Sequence, residues 1–315
     1  VIDPDIVGLL DRFRTDKYLT QYQGDNHEAY AINITTWQND LGGWEKDFAE
    51  EYTKPWDGVE ARTYYQFENG TETASLANKG TTKEIRYIAD AFINSSNNSN
   101  RTIFKESLEG GIHWILNSQH PAGGWGKVYP SRGCGDCNYS DMMTFNDHVM
   151  TTAVLLLLDI VEKKEPFNSE IMENVNLSSV ENSLERAMSF ILNSQIIVNG
   201  SRTIWGQQHD PYTFESVPGR SFERECRTPN ESVGIVALLL NWEDRTPEII
   251  NATWGAVDWY ERNVVLDYWF NKSNNGTIEY REGEFLWYRY YNLTNDDYFF
   301  ANRDSIKVYT IDELE

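Results

Sequence analysis

Long apolar runs are missing from this chain. The longest, Val154 to Ile160, falls far short of the roughly 18 residues that a membrane helix needs, so no membrane span is expected and the segment reads as a buried helix. Cysteine is scarce, with only Cys134, Cys137 and Cys226 in 315 residues. Cys134-Gly-Asp-Cys137 has no second ligand pair at zinc spacing, which argues against a structural zinc site. A disulfide within the set is the expectation for an exported chain, with its pairing not legible. Positive charge is also scarce: 27 Lys and Arg face 49 Asp and Glu, for a net charge of -22. Nucleic acid is thereby excluded as a partner, because counterion release needs a basic patch. A polyanion is repelled at long range unless a cleft gathers the few cationic side chains or a divalent cation bridges the charges. Most of the acidity reads as a solvated surface. No nucleotide-binding loop, Ser-His-Asp set or haem motif occurs. The numbering begins at Val1 with no apolar leader, which leaves prior removal of a signal peptide open.

What the chain has in abundance is Asn-x-Ser/Thr. Such sequons begin at Asn33, Asn69, Asn94, Asn97, Asn100, Asn138, Asn176, Asn199, Asn230, Asn251, Asn271, Asn275 and Asn292. They point to a secreted or cell-surface glycoprotein. There is also an internal repeat. Trp37-Gln38-Asn39-Asp40-Leu41-Gly42-Gly43-Trp44 returns as Trp114 to Gln119 with Gly123-Gly124-Trp125, about 77 residues on, and again as Phe190 to Gln195 with Asn199-Gly200 and Trp205. Each copy is a helix end carrying Gln, a turn and a Trp. The spacing accommodates two helices per repeat. Helical periodicity is expected over Thr82–Ile93, Phe145–Val161, Ser183–Leu192 and Glu231–Leu240, and short strands over 278–281 and 285–288. The fold class predicted is mainly α: an α/α toroid, with a helical solenoid or bundle as alternatives. No linker splits residues 1–315, Ser95–Asn100 being a polar loop, so one domain and a monomer are expected. Trp44, Trp125, Tyr129 and Trp205 either pack beneath their turns or form sugar-stacking platforms.

Several ordered blocks resemble the family ten pectate lyases. They are Thr82-Lys83-Glu84-Ile85-Arg86, Gly123-Gly124-Trp125-Gly126-Lys127-Val128-Tyr129-Pro130 with Arg132-Gly133, Thr144 to Met150, His209-Asp210-Pro211, Pro218 to Glu223 and Glu231 to Ile235. The resemblance runs from about Trp37 to Arg303. It implies an (α/α)3 toroid or incomplete α/α barrel with long loops and a few short strands. It also implies anti-β-elimination of polygalacturonate or a related uronate, an acidic polysaccharide. Arg220 matches the family's arginine base, and Asp147 a calcium-binding carboxylate. Arg289 and Arg303 match arginines that grip substrate carboxylates, a task suited to the forked guanidinium. Arg132, Lys127, Trp125 and Tyr129 are further substrate-binding candidates. Read without the resemblance, Arg220 is an arginine paired with Glu223, and Asp147 an acid at a helix start.

One block departs from the family. Where Thr-Ile-Asp-Asn is usual, this chain has Ser75-Leu76-Ala77-Asn78, which puts Ala77 at a calcium-ligating Asp. A methyl group cannot coordinate a cation, so calcium is expected to be weakened or replaced. Lys79 is one candidate replacement, and Asp136 or Asp141 another. The competing functions are a non-catalytic uronate-binding or cell-surface protein on the same scaffold, and an α/α-barrel glycosidase or cyclase. A glycosidase needs two carboxylates about 5–10 Å apart; Asp40, Glu45 and Asp210 are available without an evident pair.

Overall fold

A computed structural model describes residues 4–15, 26–133, 139–273, 276–310 and 313, with the backbone alone for residues 4–7. Cys134, Asp136, Cys137, Asn138 and Asn275 lie outside the described residues. The chain divides into two compact units, Val1–Ile191 and Leu192–Glu315.

The first unit is helical. Helices α1 (Pro4–Arg14), α2 (His27–Thr36), α3 (Thr82–Asn94), α4 (Asn98–Ser118), α5 (Val149–Val161) and α6 (Leu177–Ser194) carry it, α6 running across the boundary. Helix α2 packs on α3 and α4, α3 on α4, and α5 on α1 and α3. Residues 149–160 of α5 are all buried, as the uniform run of Val, Leu and Ile predicts. The polar segment after α3 ends sooner than expected. Asn97 caps α4, its side chain accepting from the N–H groups of Ser99 and Asn100, so the helix is already under way at Asn98.

The expected Phe145–Val161 helix begins late. Asp147 (φ 53°) and His148 (φ 57°) are left-handed, in a short turn at Asn146–His148, and α5 starts at Val149. The turn Ala77–Lys79 before α3 is built the same way, with Asn78 and Lys79 at φ 52° and 64°. Left-handed backbone is costly for residues with a Cβ and persists only where the surroundings over-determine it. Here the strands leading into both turns are pinned alike. Ser75 N–H donates to Trp44 O at 3.0 Å and Thr144 N–H to Trp125 O at 2.8 Å.

The sequence repeat is thus a structural one, and its glutamines explain why. Gln38 Nε2 donates to Gly42 O in its own turn and to Ser107 O in α4, at 2.7 and 2.8 Å. Gln119 does the same with Gly123 O and Ser183 O, at 2.8 and 2.9 Å. One amide therefore closes each turn and ties it to the next helix. The turns demand glycine. A Cβ on Gly123 (φ +107°) would stand 2.0 Å from Arg186 O. Gly123→Ala is therefore expected to lower stability by well over about 1 kcal/mol, read as a fall in the urea midpoint at unchanged slope.

The second unit holds α7 (Pro229–Asn241) and α8 (Pro247–Arg262), which pack together. Thr246 caps α8 by accepting from Ile249 N–H, with Pro247 in the first turn. The third repeat lies here. Gln195 Nε2 donates to Thr203 O at 2.7 Å and to Ala252 O in α8 at 2.8 Å. The two short strands expected at 278–281 and 285–288 are, as far as Leu286, one strand, Thr277–Leu286, paired antiparallel with Val265–Asn271, while Trp287 and Tyr288 lie outside it. The ladder is irregular between Leu266 and Tyr268, opposite the stretch that holds Gly283 (φ 82°).

Candidate functional site

The candidate residues fall into two groups, one in each unit. In the first, the 77–79 turn packs against the 146–148 turn. Lys127 lies alongside both. Its main chain is held three times: its N–H donates to Ser140 O at 2.8 Å, and its carbonyl accepts from Leu76 N–H at 2.9 Å and Ser75 Oγ at 3.1 Å. Its Nζ sits 3.0 Å from Asp147 Oδ2, and the Lys127 side chain is only 9% exposed against 29% for Asp147. Ala77 is buried on the neighbouring turn. Lys79 turns elsewhere: its ammonium donates to the carbonyls of Arg12 and Thr15 at the end of α1, where a cation suits the helix dipole. Asp141 accepts from Ser131 Oγ at 2.6 Å.

A calcium site needs several oxygen ligands around one point. At these turns one expected carboxylate is the Ala77 methyl and the other, Asp147, is paired with an ammonium. Among the described residues no three His, Cys, Asp or Glu side chains are grouped so that a metal ion could be held. The described residues do not fit the ion.

The expected stacking aromatics are under the turns instead. Trp44, Trp125 and Trp205 are at most 1% exposed, which leaves no ring face for a sugar. Trp44 Nε1 donates to Ile34 O and Trp125 Nε1 to Ile115 O, both at 2.9 Å, so the rings serve the repeat. A buried indole must place its N–H, and the preceding helix end supplies the acceptor. Tyr129 is half-buried, edge-on to Trp114. Arg132 is half-buried.

In the second unit the three arginines that the resemblance singles out are all exposed. Arg220 and Arg303 share one ring: their guanidinium carbons lie 4.6 and 5.4 Å from the centre of Phe222. Arg289 lies 4.9 Å from the ring centre of Tyr290. Such aromatic faces hold a guanidinium without consuming its donors. Arg220 is further aligned by Glu223, a fully buried carboxylate that accepts from Arg220 N–H and Nε at 3.0 Å each and also from Nη2. Gly219 lets the loop close here, since a Cβ would come within 2.6 Å of Glu223 Oε2. Next to it, the side-chain amides of Gln207 and Gln208 are buried and make no hydrogen bond among the described residues. Neither glutamine stood out in the sequence. Glu223 did, through its spacing of three from Arg220.

His209 is buried and neutral. Its Nε2 accepts from Gly206 N–H at 3.0 Å, so the proton is on Nδ1, donated to Phe214 O at 2.8 Å. Burial pushes its pKa down to about 4. The unfolded histidine, near 6.5, takes up a proton that the folded one refuses, so stability falls as pH drops from about 6.5 to about 4, by up to ~3 kcal/mol from this group. Urea midpoints across that range should show the loss, and His209→Gln should remove it. Cys226, expected as a disulfide candidate, is a free buried thiol whose pKa burial pushes well up.

A family model described as pectic acid lyase matches residues 38–315. The chain belongs to the pectic acid lyase family. Among solved structures, an aspartate-to-alanine variant of a family 10 polysaccharide lyase from Cellvibrio cellulosa, in complex with trigalacturonic acid, is 26% identical. That match covers 98% of this chain and 89% of that one, with a TM-score of 0.83. A family 10 polysaccharide lyase from the same organism is 24% identical over 100% of this chain and 91% of that one, with a TM-score of 0.81, and shows the shared fold. No curated protein matches the chain. The mainly α, α/α toroid-like class expected from the repeats is the class of this family member. Among the described residues no helix is long and apolar enough to cross a membrane.

Proposed function

We propose that this family member is a secreted lyase that cleaves polygalacturonate by anti-β-elimination, with Arg220 as the base. The observation that carries the reading is the pairing of Arg220 and Arg303 across Phe222, exposed cations on a chain of net charge -22 whose family is named for pectic acid. The relative that holds trigalacturonic acid supports the same class of ligand.

In the proposed reaction Arg220 first releases a proton to solvent, and its neutral guanidine then takes the proton on C5 of a galacturonate, alpha to the sugar's carboxylate. The electron pair of that bond forms the C4–C5 double bond, the C4–O bond to the leaving sugar breaks, and the departing oxygen takes a proton from solvent. An arginine is ordinarily protonated, with a pKa above about 12, and is a poor base. Orientation is what this site adds: Glu223 holds the Nε and Nη2 donors and Phe222 lies against the plane. Arg289 and Arg303 grip neighbouring carboxylates as charge-assisted forks. No step is drawn through calcium, which the residues do not fit.

The direct test is incubation with polygalacturonate, following the ultraviolet absorbance of the unsaturated product. Rising absorbance is the expected result. No product, with the polymer still retarding the protein on a pectate gel, means instead a uronate-binding protein without catalysis.

A further inference from the structure

We infer that the Lys127 ammonium stands in for a divalent cation, so that the 77–79 and 146–148 turns form a calcium-independent subsite for a uronate carboxylate. The inference rests on the pectic-acid reading of the ligand class.

Three observations converge on Lys127. Its main chain is fastened to Ser75, Leu76 and Ser140, so the side chain leaves from a fixed origin. Its Nζ lies 3.0 Å from Asp147 Oδ2 on a side chain that is nearly buried. On the facing turn the residue that would compete for that ammonium is a methyl group, Ala77, 2% exposed. The charge balance is also preserved. A divalent cation between two aspartates sums to zero, and so does one ammonium against one aspartate. Restoring an aspartate at position 77 beside Asp147 would leave the Lys127 site at -1 and repel the very anion it has to hold. One ammonium facing one carboxylate thus leaves these turns neutral without a divalent cation.

An ammonium differs from calcium in its reach. Lysine offers three rotatable donors on a compact charge. With Asp147 on one side of the ammonium, an incoming carboxylate would take its other donors. A carboxylate bound there gains a charge-assisted hydrogen bond in a partly desolvated setting, where such bonds are strong. Calcium-free buffer should cost it nothing.

The experiment has two arms, both on the intact chain. Calcium chloride is titrated calorimetrically into protein desalted from EGTA. The expected result is no saturable binding tighter than about 1 mM; saturable binding that Asp147→Asn abolishes overturns the inference. Trigalacturonate is then titrated in EGTA into the native protein, Lys127→Arg and Lys127→Gln. Binding should weaken at least about tenfold in Lys127→Gln, the size of a lost charged hydrogen bond, and recover most of the way in Lys127→Arg. Equal affinity in Lys127→Gln and the native chain overturns it. Because Lys127→Gln leaves Asp147 unpaired, the neutral pair Lys127→Gln with Asp147→Asn guards against misfolding and should show the same loss. If the native protein cleaves nothing but both arms come out as stated, the catalytic reading falls and the subsite stands. If cleavage occurs only with calcium, the subsite falls and the lyase stands.

Discussion

Arg220→Ala is expected to lower the rate of product formation on polygalacturonate by about 10²–10⁴-fold, the range that a positioned general base supplies. The loss should fall on kcat. On the proposed reading Arg289 and Arg303 still hold substrate, so KM should move far less. Arg220→Lys tests geometry separately from charge. It keeps the cation but loses the planar fork that meets Glu223 through Nε and Nη2, and should recover little of the rate. Arg220→Ala also strands Glu223, which is fully buried. Stability is the confounding variable, although the half-exposed Arg220 side chain makes the cost smaller than for a wholly buried pair. The double variant Arg220→Ala with Glu223→Gln removes that charge. If it too has lost turnover at a native unfolding midpoint, the loss is chemical. A rate within about threefold of native in Arg220→Ala would move the base to another residue.

The second large effect is on stability. Asp159 in α5 is 1% exposed. It accepts from Arg14 of α1 at 2.9 and 2.7 Å and faces Arg86 of α3 at 2.8 Å. Burial by itself raises its pKa, but the hydrogen bonds from Arg14 and the charge of Arg86 outweigh burial and hold it below the ordinary value. Asp159→Asn leaves two arginines facing a neutral group, and breaking a buried pair in this way costs about 3–5 kcal/mol. The pH dependence has a definite sign. A carboxylate with a depressed folded pKa contributes its full stability above the unfolded value, near 4, and loses it as pH falls through the folded value. The gap between native and Asp159→Asn urea midpoints should therefore be widest at neutral pH and close under acid. Burial lowers the pKa of Arg86, with Asp159 opposing, yet an arginine keeps its charge throughout this range and adds nothing to the slope. A gap that stays constant down to pH ~3 would mean that Asp159 acts through shape rather than charge.

Much of the helical frame was legible because its signals are local. The apolar spacing at Ile85, Ile88, Ala89 and Phe92 marked α3 to within a residue at its C-terminus. The Gln-turn-Trp repeat marked three equivalent turns, and their glutamine bonds repeat with them. What failed was also local in origin. Phe145 to Val161 looks helical throughout, but the left-handed Asp147 and His148 are imposed by the strand pinned to Trp125. Trp125 resembles a sugar platform in composition; only its packing shows that neither face is open.

The sequence by itself determined the class of fold and the family, and it nominated Arg220, Arg289 and Arg303 for the proposed chemistry, since periodicity and ordered motif blocks survive without coordinates. It also revealed the missing carboxylate at Ala77. Which lysine meets Asp147 was decided by tertiary structure alone. Lys79, adjacent in sequence, spends its charge on the end of α1, while Lys127, fifty residues away, reaches Asp147. Charge pairing in a folded chain follows distance in space and burial, and neither is written in the spacing of residues along it.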